Sequence, residues 1–268
     1  MKTFRNISIF CFLIFSALSL KAQNPEPTFF IVETMKATHN NAAAYVKSEV
    51  ELWKKIHQER IKRGYITAWS FYSVKYPSGS DVAYDFITVT TVQGFNKLEN
   101  TYGNLLSEGE KVFGKEMATK AMAIGSLRDL TTSSVFYGMD FLQADPKSTK
   151  QAKYLVVNYM KVKDGKYEEY ENFERKLIKP IHVEMMKNGG RSAWGMYQKV
   201  MPRGEAQPFD FTTVDFYDTW ADMNNQQSYR KVHEKVNPEM SWERMNKIMN
   251  DSRTLTQSEV WELISTTN

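Results

Sequence analysis

Cysteine is nearly absent. Cys11 is the only one in 268 residues, and it lies in an apolar N-terminal stretch. The remaining chain therefore has no disulfide, no thiolate metal site, no Cys-attached haem and no Cys nucleophile. Histidine is also scarce, with four in all. None falls in a His-x-x-x-His or His-Glu-x-x-His spacing, so no metal site is expected. The chain has no Gly-rich phosphate loop, no Gly-x-Ser-x-Gly elbow and no Rossmann fingerprint. Charge of one sign is not in excess either. The net charge is +4. Lys2, Arg5 and Lys21 sit in the first 22 residues, which hold no acid, so the remainder carries only +1. That balance gives no electrostatic case for nucleic acid or an anionic membrane as partner. With 42% hydrophobic and 25% charged residues, the chain is too apolar for disorder and too polar for a multi-span membrane protein.

One long apolar run is present, Ile7 to Leu20, broken only by Ser8, Ser16 and Ser19. It follows the basic residues Lys2 and Arg5 and is short for a transmembrane span. It reads as a secretory signal cleaved after Ala22, giving an exported protein, periplasmic or secreted, with no membrane attachment afterwards. Cys11 lies inside the run, not after it, so a lipoprotein is not expected.

The rest of the chain repeats itself. A shift of 125 aligns 28–143 with 153–268 without a gap, and 18 of the 45 positions from Tyr45 to Val89 are then identical. The matches include Tyr45/Tyr170, Glu49/Glu174, His57/His182, Gly64/Gly189, Trp69/Trp194, Tyr72/Tyr197 and Asp85/Asp210. Between Thr101 and Leu127 no position matches. Two related units are expected, 28–143 and 153–268, joined by a polar linker over 144–152 that includes Asp145-Pro146. In each, alternating apolar runs predict strands at Phe29–Lys36, Ile66–Val74, Tyr84–Val92 and Ser133–Phe141, and at Tyr154–Lys161, Ser192–Val200, Phe209–Tyr217 and Ser258–Ile264. Helical spacing covers Asn40–Arg63 and Lys166–Asn188, stopped by Gly64 and Gly189, and then Phe95–Ile124 and Trp220–Met249. The order β-α-β-β-α-β is the ferredoxin-like plan, an α+β class.

Two such units in one chain resemble the dimeric α+β barrel superfamily, fused into one polypeptide. The residues that carry the resemblance are Met160-Lys161-Val162-Lys163-Asp164-Gly165-Lys166 ahead of the first helix, His182 late in it, Gly189-Gly190, and Trp194. They are similar to NIPSNAP-like and antibiotic-biosynthesis-monooxygenase-like domains. The resemblance implies tandem ferredoxin-like repeats closing one intramolecular barrel, and hence a monomer. It also implies a choice among cofactor-free oxygenases, isomerases, haem proteins and domains without known activity.

Several matched residues are candidates for chemistry. On a wheel of about 100° per residue, Glu174 falls inside the stripe Tyr170, Leu177, Ile178, Ile181 and Met185. Glu49 takes the same place in the first unit. A carboxylate facing a sheet is costly unless paired. It serves either as a general base or ligand anchor, or as a structural carboxylate paired with Arg128/Arg253 or a Tyr hydroxyl. His57 and His182 fall at the stripe's edge, about 120° from Tyr45 and Tyr170. They are placed to flank a ligand or to bond to a strand. Pro180 should kink the helix beside His182. Trp69/Trp194 and Tyr72/Tyr197 differ by three in a strand and point to opposite faces. With Tyr45, Tyr170, Asp85 and Asp210 they complete the candidate ligand-binding set, for a small apolar or aromatic ligand. Glu59/Lys62 and Glu184/Lys187 read as solvated helix faces. Three functions follow in order of expectation. The first is a small-molecule-binding barrel, as a cofactor-free enzyme of oxygenase or isomerase type with its base at Glu49/Glu174 or His57/His182. The second is a non-catalytic exported interaction module whose partner surface is the diverged Thr101–Leu127 segment. The third is a haem-binding barrel using His57, His182 or His233. No cofactor is expected under the first reading.

Overall fold

The structure is a computed structural model, and it describes residues 26–38, 40–187, 189–224 and 228–267. The expected signal, Cys11 and His39 lie outside the described residues. The strands are β1 (Thr28–Ala37), β2 (Ala68–Tyr76), β3 (Phe86–Gln93), β4 (Arg128–Gln143), β5 (Tyr154–Val162), β6 (Ala193–Met201), β7 (Phe211–Tyr217) and β8 (Arg253–Thr266). They close into one barrel in the order β1-β3-β2-β8-β5-β7-β6-β4, antiparallel throughout. Each half contributes four neighbouring strands in ferredoxin-like order. The seams between halves are β2–β8 and β4–β6. Closure leaves no free sheet edge, which removes the usual route to edge-to-edge aggregation.

The period-two pattern sorts side chains cleanly. Trp69 and Phe71 on β2 face the helices, whereas Ser70 and Tyr72 face the barrel interior. β4 and β8 begin five residues earlier than their apolar alternation predicts. Arg128–Thr132 and Arg253–Gln257 are polar but for Leu130 and Leu255, and mostly exposed. They are strands because β1 and β5 pair with them, across bulges at Thr34/Met35 and Tyr159/Met160. The two bulges are 125 residues apart.

The helices lie outside the barrel. The first is α1 (Ala42–Ser48) and α2 (Lys54–Lys62), joined by a π turn over Glu49–Trp53. Its counterpart is α5 (Tyr167–Phe173) and α6 (Lys179–Lys187), joined by a π turn over Glu174–Ile178. The chain leaves them through Gly64 (φ 72°) and Gly189 (φ 76°), left-handed positions that end a helix without a Cβ penalty. The later helical regions are shorter pieces: α3 (Leu105–Phe113) and α4 (Lys115–Met122) in the first half, and α7 (Trp220–Asn224), α8 (Tyr229–Val236) and α9 (Trp242–Ser252) in the second. Among the described residues no helix is long and apolar enough to cross a membrane.

Candidate functional site

The π turn is the local feature that builds the site. It takes up one residue more than an α turn, so later side chains rotate back by about 100°. His57 therefore lies about 20° from Tyr45, in the middle of the sheet-facing stripe and not at its edge. His57 and His182 are buried, stacked on Trp69 and Trp194 with ring centroids 4.9 Å apart in both halves. Pro180 is the second residue of α6, just beyond the turn. Lys55 stands at the matching place in the first half, where the same π turn forms, so the proline does not cause the irregularity.

Glu49 opens the first π turn and is 4% exposed. It lines a cavity of about 410 Å³ between the sheet and the helices, shared with His57, Trp69, Arg60, Trp53 and Arg128. Burial pushes Glu49 up to about 8, with Arg128 and the Tyr45 hydroxyl offsetting only part of the rise. Burial likewise raises Glu174 to about 7, against Arg253 and Tyr170. The Tyr45 and Tyr170 hydroxyls and the Nε atoms of Arg128 and Arg253 are buried without a hydrogen-bond partner. The carboxylates are thus influenced by these groups but not locked by them.

Each histidine is held by an arginine. The Arg60 Nη1 donates to His57 Nδ1 at 3.0 Å, its Nε to Asn104 Oδ1 at 3.1 Å, and its Nη2 to the Thr101 carbonyl. In the second half Arg191 donates to His182 Nδ1 and to the hydroxyls of Tyr229 (3.1 Å) and Tyr217 (3.2 Å). It also pairs with Asp215 at 3.0 Å. The two arginines do not correspond in the repeat, since Arg60 matches Met185 and Arg191 matches Ile66. Identity between the halves passes over them. Their signal is a complementary pair of mismatches flanking one histidine.

Burial, reinforced by the adjacent guanidinium, holds both histidines well below the usual range, so the rings are neutral. A guanidinium can only donate, so Nδ1 accepts and the ring proton sits on Nε2. This arrangement does not fit an axial haem ligand, which needs a free ring lone pair. His233 fits no better, since Nε2 meets the Met240 carbonyl at 2.7 Å and Nδ1 meets Asn237 Nδ2 at 3.2 Å.

The other candidates are spread over three places. Tyr45 and Tyr170 pack between helix and sheet beside their glutamates. Tyr72 and Tyr197 line the barrel interior, a cavity of about 710 Å³ with Phe30, Phe136 and Trp261, so they are not brought together with Glu49. Asp85 accepts from Lys36 Nζ at 3.0 Å and the Ala37 amide at 3.3 Å. Asp210 accepts from Lys161 Nζ at 3.3 Å and the Val162 amide at 3.0 Å. Both fasten the end of the first strand of their half to the loop that enters the third strand. Glu59 pairs with Lys62 at 3.6 Å on the surface, as a solvated face should. Glu184 does not follow it, because Lys187 and Lys235 both cover its carboxylate and leave the residue buried. The diverged segment supplies Tyr102, Leu105 and Ile124 to the first-half cavity, and Thr101 and Asn104 to Arg60. It roofs the cavity.

No protein-family profile and no curated protein matches the chain. Its fold is similar to that of a candidate monooxygenase from Fusobacterium nucleatum subsp. nucleatum, at 8% identity and TM-score 0.52, over 91% of this chain and 95% of that one. It is also similar to a candidate chlorite dismutase, at 10% identity and TM-score 0.51, over 89% and 95%. An anthrone oxidase-like protein aligns at 12% identity and TM-score 0.49, over 91% and 93%. The likeness is one of fold: a dimeric α+β barrel of monooxygenase-like or chlorite dismutase-like kind. The NIPSNAP-like part of the resemblance has no counterpart among these three.

Proposed function

We propose that the protein is an exported, monomeric α+β barrel that binds a small molecule in its first half and removes a proton from it without a cofactor. The observation that carries this reading is Glu49, a buried carboxylate with raised proton affinity, opening onto a cavity that also holds His57. A core closed over a hydrogen-bonded Glu49 would instead suit a purely structural role. The fold likeness to a candidate monooxygenase supports the same class.

The roles follow from the protonation states. Glu49, once ionised, takes a proton from an acidic C–H of the ligand. The neutral His57 carries its proton on Nε2 and is suited to donate to the oxyanion that forms, with Arg60 behind it. His57 is therefore the donor and Glu49 the base. Return of the proton to another carbon gives an isomerase, and electron transfer from the carbanion to O₂ gives an oxygenase. The test is exchange of the acidic C–H of 2-tetralone in D₂O, followed by proton NMR. The protein should accelerate exchange, with the rate rising through about pH 8 as Glu49 ionises. Glu49→Gln should lower the rate by about 10²-fold or more. A Glu49→Gln protein as fast as the wild type would remove the base and favour a non-catalytic binding module.

A further inference from the structure

The two halves hold the same histidine nitrogen with differently placed arginines, and they place their acids differently: Asp215 belongs to the second half alone, whereas Glu33, where the second half has Asn158, belongs to the first. Arg191 meets Asp215, which is buried on β7, at 3.0 Å. The repeat partner of Asp215 is Thr90 on β3, and Thr90 lines the first-half cavity. Arg60 is 1% exposed, and its bonds go to His57, Asn104 and the Thr101 carbonyl, all uncharged. Among the described residues no carboxylate reaches Arg60 at ion-pair distance. A guanidinium has five N–H donors, so Arg60 keeps donors to spare.

Glu33 is a further acid on the cavity wall, but its oxygens are taken by the Tyr102 hydroxyl at 2.9 Å and the Thr88 hydroxyl at 3.4 Å. Two further donors on the wall, Trp53 Nε1 and Arg128 Nε, are buried without a hydrogen-bond partner. A buried cation whose charge is met only at longer range, by Glu108 and Glu33, stands beside unpaired donors, and a carboxylate at contact distance would satisfy both. Met35, Trp69, Leu105, Ile124 and Leu130 form the apolar part of the wall, which Glu49, His57 and Ser133 also line.

We infer that the first-half cavity takes an apolar monocarboxylate, aromatic or aliphatic, whose carboxylate sits against Arg60 in the place that Asp215 fills against Arg191. The second half is then closed to such ligands by its own side chain. This deepens the proposed function and rests on the cavity being a ligand site.

The test is calorimetric titration of the full chain with 1-naphthoate, phenylacetate and octanoate, each beside its primary amide. At least one acid should bind about tenfold tighter than its amide or better, the scale of a charge-assisted contact. Thr90→Asp, which supplies the internal carboxylate, should weaken acid binding about tenfold or more, whereas Thr90→Asn should not. Arg60→Met, the residue of the second half at that position, should erase the preference for acid over amide. Thermal unfolding checks that each variant folds, and if Thr90→Asp does not, the Arg60→Met preference decides. Acids and amides bound equally, or acid binding unaltered in folded Thr90→Asp, would overturn the carboxylate inference and leave a ligand cavity standing. No binding of any probe would overturn both.

Discussion

Glu49→Gln is expected to stabilise the protein, and most strongly above pH 8. Glu49 has its proton affinity raised by burial, from an ordinary 4.5 to about 8. Between those values the folded chain binds more protons than the unfolded chain. Stability therefore falls as pH rises through that window, and levels off above it. Each tenfold gain in proton affinity is worth about 1.4 kcal/mol, so the full window sets a ceiling of about 5 kcal/mol, and a gain of about 2–4 kcal/mol is expected for the variant at about pH 8.5. For a chain of this size that is a rise in Tm of roughly 5–10 °C. At about pH 5 the two proteins should unfold at nearly the same temperature. Glu174→Gln should show the same sign with a smaller gain, because its window closes near 7. Parallel Tm curves for wild type and Glu49→Gln from about pH 5 to 9 would contradict a buried, proton-holding Glu49. A residue whose removal stabilises the fold while abolishing exchange is the signature of a site kept at the expense of stability.

Arg191→Met is expected to be the more damaging change, costing about 3–5 kcal/mol by denaturant unfolding. It leaves Asp215 buried and without its counter-charge, and it unties His182 and two tyrosine hydroxyls. Adding Asp215→Thr, the residue of the first half, should recover much of that loss, with a coupling of about 2–3 kcal/mol in the double-mutant cycle. Arg60→Met should cost less, about 1–2 kcal/mol, because it breaks bonds to neutral groups and strands no carboxylate. Equal losses for Arg60→Met and Arg191→Met would mean that the two halves are electrostatically alike.

Much of the architecture is legible in the residues. Strand alternation separates Trp69 from Tyr72, the glycines at 64 and 189 mark where the first helices end, and the 125-residue shift pairs the bulges as well as the motifs. The site is less legible, for reasons that are local. A regular helical wheel puts His57 at the edge of its face, because nothing in Glu49-Val50-Glu51-Leu52-Trp53 announces a π turn. The arginines are hidden because each half draws its own from a different element. Arg60 lies on α2, whereas Arg191 lies in the loop before β6. The polar starts of β4 and β8 carry no period-two signal, since their outward faces are exposed and pairing alone makes them strands. Glu184 looks like its surface counterpart Glu59 until Lys235, 51 residues away, folds over it.

The most direct test of a ligand site in the first half uses the indole N–H resonances of the six tryptophans. Trp53 and Trp69 line the first-half cavity, Trp261 faces the barrel interior, and Trp194 stacks on His182 in the second half. In a ¹⁵N-labelled protein titrated with 1-naphthoate, the Trp53 and Trp69 signals should shift together and saturate, with Trp53 moving further because its buried Nε1 gains a partner. Trp194 and Trp261 should stay in place. A shift at Trp261 alone would put the ligand inside the barrel, and matched shifts at Trp69 and Trp194 would show two equivalent sites. Either result would contradict a ligand site confined to the first half.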